Sequence, residues 1–134
     1  MALSFAKEYA DGKSKLSTVL REMIERGQKV STTEYDSSVA KINQYSETLD
    51  EIFEEYDAIL TPSTSGPAPS GLASTGSPIF NTIWTFCGNP AINLPLLQSP
   101  EGLPVGVQIV AEKGDDARLF RTSRWLLELL NDEL

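Results

Sequence analysis

Apolar positions recur along this chain in two rhythms, one helical and one strand-like, and the boundaries between them predict the elements. Tyr35, Val39, Ile42, Ser46, Leu49, Phe53 and Tyr56 fall at alternating steps of four and three, the spacing of one helix face. Ser31-Thr32-Thr33-Glu34 ahead of them fits a capping box. The spacing therefore predicts a helix over about 32–55. Its seam holds fewer than four heptads and includes Ser46, which favours a surface helix laid on a sheet over a two-stranded coiled coil. Leu119, Phe120, Ser123, Leu126, Leu127 and Leu130 form a second helical stripe, opened by Asp115 as N-cap and Asp116 at the positive end of the dipole. That predicts a helix over about 115–131, with Trp125 beside its polar face. Leu3–Gly27 is helix-prone, with Leu16, Val19, Leu20 and Met23 on one face, Gly12 as an interruption and Gly27 as a C′ residue.

The second rhythm is that of strands. Ala91–Leu97 and Val105–Val110 are apolar runs too short for helices, and Ser99-Pro100-Glu101-Gly102 between them is turn chemistry. They predict a β-hairpin apolar on both faces, which other elements must cover. Asp57–Leu60 is a short strand candidate. Ser63–Pro78, rich in Ser, Thr, Gly and Pro, reads as a long loop of the binding or lid type. Ile79–Cys87 is apolar and uncharged, and its pattern fits a short buried helix or a strand.

Composition narrows what such a fold could do. The 134 residues suit one domain, 1–134, and a chain of that length buries roughly two-thirds of its unfolded surface. A net charge of −8 argues against nucleic acid and anionic membranes as partners, since both need clustered Lys and Arg. The chain has no histidine, which removes Ser-His and Cys-His nucleophile systems and most zinc or copper sites. No metal or cofactor site is expected. The single cysteine, Cys87, gives no sign of an oxidising compartment. No basic region followed by an apolar core opens the chain, and no run is long enough to cross a bilayer, so a cytoplasmic location is expected.

Four stretches carry a family resemblance. G-N-P-A-I-N-L-P (Gly88–Pro95), G-L-P-V-G-V-Q-I-V (Gly102–Val110), Y-D-A-I-L-T-P (Tyr56–Pro62) and G-D-D-A-R-L-F (Gly114–Phe120) resemble, in order and spacing, the C-terminal part of the amidase-signature hydrolases. The resemblance implies hydrolysis of carbon–nitrogen bonds in amides by a serine nucleophile, a second serine in a cis peptide and a lysine base. In that family these residues come from upstream of the part matched here, and the chain holds no G-G-S-S-G-like run. Ala73-Ser74-Thr75-Gly76-Ser77 is only an echo of it, and no catalytic residue is assigned. Without a histidine, Ser63, Ser65, Ser74 and Ser77 read as loop formers.

The resemblance also implies that Ile79–Cys87 is a helix beside the substrate cleft. Ile83, Trp84 and Cys87 are accordingly the candidate pocket-wall residues, although core packing is the commoner role of such side chains. Ser77-Pro78-Ile79-Phe80 carries no charge, which favours an amidase with an uncharged pocket over an enzyme acting on tRNA-bound glutamine.

The fold expected is α/β, a small mixed sheet corresponding to the C-terminal third of the amidase-signature fold. Asp57–Leu60 should lie beside Ala91–Leu97, which pairs with Val105–Val110, and the helices near 32–55 and 115–131 should cover the sheet. Alone, the chain is expected to be inactive, meeting a small-molecule amide only when joined to the N-terminal part. The alternative is a noncatalytic interaction module, a homodimer through exposed apolar surface.

Overall fold

Val105–Val110 is the strand around which the sheet forms. In the computed structural model, which describes residues 2–132 and the side chains of 2–130, Gln108, Ile109 and Val110 are all buried. Only a strand covered on both faces and paired on both edges buries successive residues in this way. The elements run α1 (Ala6–Gly12), a 3-10 turn (Lys13–Lys15), α2 (Thr18–Gln28), α3 (Thr32–Glu55), β1 (Ile59–Pro62), α4 (Thr82–Cys87), β2 (Ala91–Gln98), β3 (Pro104–Val110) and α5 (Asp116–Asp132). The chain divides into two compact units, Met1–Lys41 and Ile42–Leu134. The expected domain span 1–134 also takes in residues 1, 133 and 134, which lie outside the described residues.

The sheet has the order β1-β3-β2, with both pairings antiparallel. The hairpin forms as the sequence predicts, and its turn closes through Gly102 N–H to Ser99 O at 2.9 Å, with Gly102 at φ +83°. Two expectations are corrected. The strand after Tyr56 lies beside β3, Ile59 opposite Val110 and Thr61 opposite Gln108, and not beside Ala91–Leu97. The sheet is therefore antiparallel throughout its described strands, where a mixed sheet was expected. The physical reason sits in β2 itself. Pro95 has no N–H to give a second neighbour, and the pairing slips between Leu94 and Leu97, so this strand belongs at an edge.

The two faces of the sheet bury different helices. Val110 packs with Leu49 and Phe53 of α3 and Cys87 of α4, with Ile59 and Trp84 against them. On the other face Ile109, Leu94 and Ala111 pack with Leu119 of α5, flanked by Ile92, Leu96 and Leu126. Both helices thus cover the sheet as their stripes predict. Asp115 caps α5 through Arg118 N–H to its Oδ1 at 2.9 Å. α4 is shorter than Ile79–Cys87 and ends on Gly88 at φ +79°, whose N–H returns to Trp84 O at 2.8 Å.

The first unit holds its own surprises. The expected capping box is present, Glu34 N–H to Ser31 Oγ at 3.2 Å and Ser31 N–H to Glu34 Oε2 at 2.9 Å. The buried face of α2 is centred on Ile24, while Val19 and Met23 are exposed. Gly27 is not a C′ residue but lies within α2, where an added Cβ would come 2.9 Å from the Ala2 methyl. Among the described residues no helix is long and apolar enough to cross a membrane.

Candidate functional site

The α3-facing side of the sheet changes character along its length. Near Val110 it is apolar. Two and four residues earlier the same side of β3 carries Gln108 and Gly106, and Gln108 lies between Thr61 of β1 and Asn93 of β2. Gln108 is 5% exposed, so its carboxamide must find partners inside the protein. It donates from Nε2 to Thr61 Oγ1 at 3.2 Å and to Phe80 O at 3.1 Å. One side chain therefore ties β1 to the backbone just ahead of α4.

The same region closes the base of the long loop. Ser63 N–H donates to Gly106 O at 3.1 Å, continuing the β1–β3 ladder by one residue. Asn81 Nδ2 donates to Ser63 O at 3.0 Å, which joins the two ends of the segment 63–81. The Ser63 hydroxyl also bonds the Asn93 carboxamide. These groups meet over Gly106, where a Cβ would overlap the Asn93 carboxamide and lie 2.8 Å from Ser63 Oγ. Glycine is required here for space alone, since a close approach leaves no volume for a side chain.

The loop folds back over this floor to enclose a cleft of about 570 Å³. Ser63, Thr64, Ser74, Thr75 and Asn93 give it polar walls, while Leu72, Pro69, Pro95 and Pro104 give it apolar ones. Among the described residues, no charged side chain lines it. Its hydroxyls and carboxamide can donate to and accept from a neutral ligand. None of its walls supplies a base able to activate a serine. Among the described residues, no cluster of His, Cys, Asp and Glu has the makings of a metal site.

The three residues proposed from sequence sit on α4. Cys87 is 2% exposed in the cluster with Leu49, Phe53 and Val110, and Trp84 packs against that cluster. The Trp84 indole N–H is buried without an acceptor among the described residues. Ile83 is exposed on the helix surface. None of the three is among the residues lining the 570 Å³ cleft. Ser63, Asn81, Asn93, Gly106 and Gln108 were not singled out beforehand. The available signal was a polar side chain inside an apolar strand run, at Asn93 and Gln108, and the second of these is buried and so must find hydrogen-bond partners.

The family model described as Amidase matches residues 5–120. The chain belongs to the amidase family. Over 82 residues it is 38% identical to a glutamyl-tRNA(Gln) amidotransferase subunit of Oceanobacillus iheyensis, a match covering 56% of this chain and 17% of that relative. Among solved structures it is similar to one described as an amidase, with a TM-score of 0.86 and 24% identity, over 95% of this chain and 32% of the other. It is also similar to a 6-aminohexanoate cyclic dimer hydrolase, with a TM-score of 0.61 and 25% identity, over 74% of this chain and 24% of that one. The α/β fold is thus the amidase fold, and the chain spans under a third of the length of each of these relatives.

Proposed function

We propose that this chain is the C-terminal portion of an amidase that hydrolyses the carbon–nitrogen bond of small, uncharged amides. The 570 Å³ cleft forms one wall of its substrate pocket, and the serine nucleophile and lysine base belong to a part of the enzyme outside these 134 residues. The single observation that carries this reading is a cleft rich in neutral hydrogen-bonding groups and free of any base, in a chain whose match to the amidase family runs from 5 to 120.

A carboxamide substrate has a carbonyl that accepts and, when unsubstituted, an NH₂ that donates. Asn93, Ser63 and Thr64 can answer both without a charge, and burying an uncharged amide against neutral partners avoids the desolvation cost of an ion. Substrates bearing a carboxylate would find no cation in the cleft. Ile83, on the exposed side of α4, does not line this cleft, and Trp84 and Cys87 hold that helix against the core from behind. Following the family resemblance, serine attack on the amide carbonyl releases the amine, and water then frees the acid from the acyl-serine. The cytoplasm is the expected compartment, and no cofactor takes part.

The test pairs an assay with a titration. The purified chain should release no ammonia or aniline from a panel of amides and anilides above buffer alone. Hexanamide should perturb the backbone NMR signals of Ser63, Asn93 and Gly106, and hexanoate should not. Amide turnover that disappears in Ser63→Ala would overturn the assignment of the chemistry to another part of the enzyme. Equal perturbation by hexanoate would overturn the preference for neutral ligands.

A further inference from the structure

The loop that roofs the cleft is a strap held at its two ends. Between them its hydrogen bonds are local: Thr64 Oγ1 donates to Gly66 O at 3.1 Å, Gly76 N–H to Ser74 Oγ at 3.1 Å and Ile79 N–H to Ser77 Oγ at 3.4 Å. Among the described residues, no hydrogen bond ties the middle of this segment to the floor beneath it. The height of the roof therefore follows from where its two ends are held.

Both ends lead back to Gln108. Its Nε2 carries two hydrogens and uses both, one toward Thr61 Oγ1 at 3.2 Å and one toward Phe80 O at 3.1 Å. The Thr61 hydroxyl in turn donates to Pro62 O at 3.2 Å, one residue before Ser63. Phe80 is followed by Asn81, whose Nδ2 donates to Ser63 O at 3.0 Å. Bonds and backbone thus close a ring from Gln108 through Thr61, Pro62 and Ser63 to Asn81 and Phe80, and back to Gln108. Gln108 is 5% exposed and is not among the residues lining the cleft. An apolar side chain between Val107 and Ile109 would pack there with no desolvation cost, so packing alone does not explain a carboxamide at this position.

We propose that Gln108 is a positioning residue of the amide-binding cleft. By holding Thr61 and Phe80 at a fixed separation, it sets the gap between the Ser63 and Asn93 floor and the loop wall at Ser74 and Thr75. Buried bonds of this kind are stiffer than the same bonds in water. A roof displaced by about 1 Å would carry its hydroxyls out of hydrogen-bonding range of a ligand on the floor. The inference rests on the reading of this cleft as a pocket wall for neutral amides. Every donor and acceptor of the ring lies within residues 61–108, so the ring does not draw on whatever covers the outer side of the loop.

Gln108→Met keeps the length of the side chain and removes both donors. In NMR titrations of the 134-residue chain it should weaken hexanamide binding about tenfold, the equivalent of one hydrogen bond. In the ligand-free variant the backbone signals of 63–78 should move while those of α5 stay in place. Thr61→Val removes one of the two acceptors together with the link to Pro62 O. It should weaken binding less, and should add nothing in a Gln108→Met background. If Gln108→Met does not fold, Thr61→Val carries the test with the same two readouts. Unchanged affinity, or loop signals that do not move, overturns the proposal. So do shifts as large in α5 as in the loop, the mark of a residue that acts by core packing alone. Hexanamide that fails to bind the wild-type chain overturns the pocket reading instead, and the ligand-free signals still decide whether Gln108 positions the loop.

Discussion

Two ends of one sheet face are built from the same three strands and behave as different materials. At the Val110 end, Leu49, Phe53 and Cys87 pack against the sheet and the contacts are apolar. At the Gly106 end, Thr61, Ser63, Asn93 and Gln108 bond to one another and to loop backbone. The apolar end holds because water is excluded, and shape can shift a little without much penalty. The polar end holds only in one geometry, because a buried carboxamide that loses its partner costs more than the bond contributed. A binding cleft needs the second property. The family's cleft is expected where the face has changed from the first to the second.

The largest effect should come from breaking the apolar end. Phe53 is 3% exposed in the cluster around Val110. Phe53→Ala should lower unfolding stability by about 3–5 kcal/mol in urea titrations, the loss of transfer energy plus a cavity. A cost below about 1 kcal/mol would mean that this cluster is not a core, and the contrast between the two ends would disappear.

A smaller and more informative effect is expected at the other end. Gly106→Ala places a methyl group where the Asn93 carboxamide lies. The obstruction is a side-chain tip, which can swing away, so the cost should be about 1–3 kcal/mol, in the range of overpacking. Swinging Asn93 aside also breaks its bond to Ser63. In an Asn93→Ala background the same glycine substitution should cost less than half as much, because the nearest obstruction is gone and only the Ser63 hydroxyl, 2.8 Å away and released from Asn93, has to turn aside. Additive costs in that double-mutant cycle would show that the two residues are not coupled.

The contrast also explains how much could be read from the chain alone. The helices were legible because each announces itself locally: Ser31 and Glu34 cap α3, and Asp115 caps α5. The hairpin was legible from two short apolar runs and the turn at Gly102. The place of β1 was not, although Pro95 inside β2 already argues that this strand cannot accept a second neighbour. The polar floor was the least legible part. Ser63, Asn93 and Gln108 come from three separate segments, and no spacing rule relates them. Each looks locally like a single polar residue at the end of a strand or inside one. Ile83, Trp84 and Cys87 stood out for being apolar after a loop, yet that property is shared by any helix packing on a sheet. On α4 two of them indeed pack with Phe53 and Val110.

The smallest effect sharpens the comparison by moving similar bonds into solvent. In the first unit, Glu25 Oε1 accepts from the Tyr9 hydroxyl at 2.7 Å and pairs with Lys13 Nζ at 2.7 Å, and Lys13 lies 4.7 Å from the centre of the Tyr9 ring. The hydrogen bond from Lys13, then that from Tyr9, holds the Glu25 carboxyl below its ordinary value, and the bond to Glu25 raises Lys13 above its own. A lowered carboxyl contributes stability above the ordinary carboxylate range, and that contribution is lost as pH falls through the lowered value. A raised ammonium contributes stability below its ordinary value, lost as pH rises through the raised one. Glu34 is also lowered, chiefly by the Ser31 backbone N–H, so it supplies an acid arm of its own. The alkaline arm is therefore the clean readout for Glu25. Thermal unfolding followed by circular dichroism should show Glu25→Gln flattening that arm while leaving an acid arm in place. Added salt should shrink the wild-type effect, since these groups are exposed and screened. An alkaline arm unchanged in Glu25→Gln would mean that Lys13 draws nothing from Glu25. The same kind of bond that fixes the cleft floor when buried would then have no measurable role at the surface.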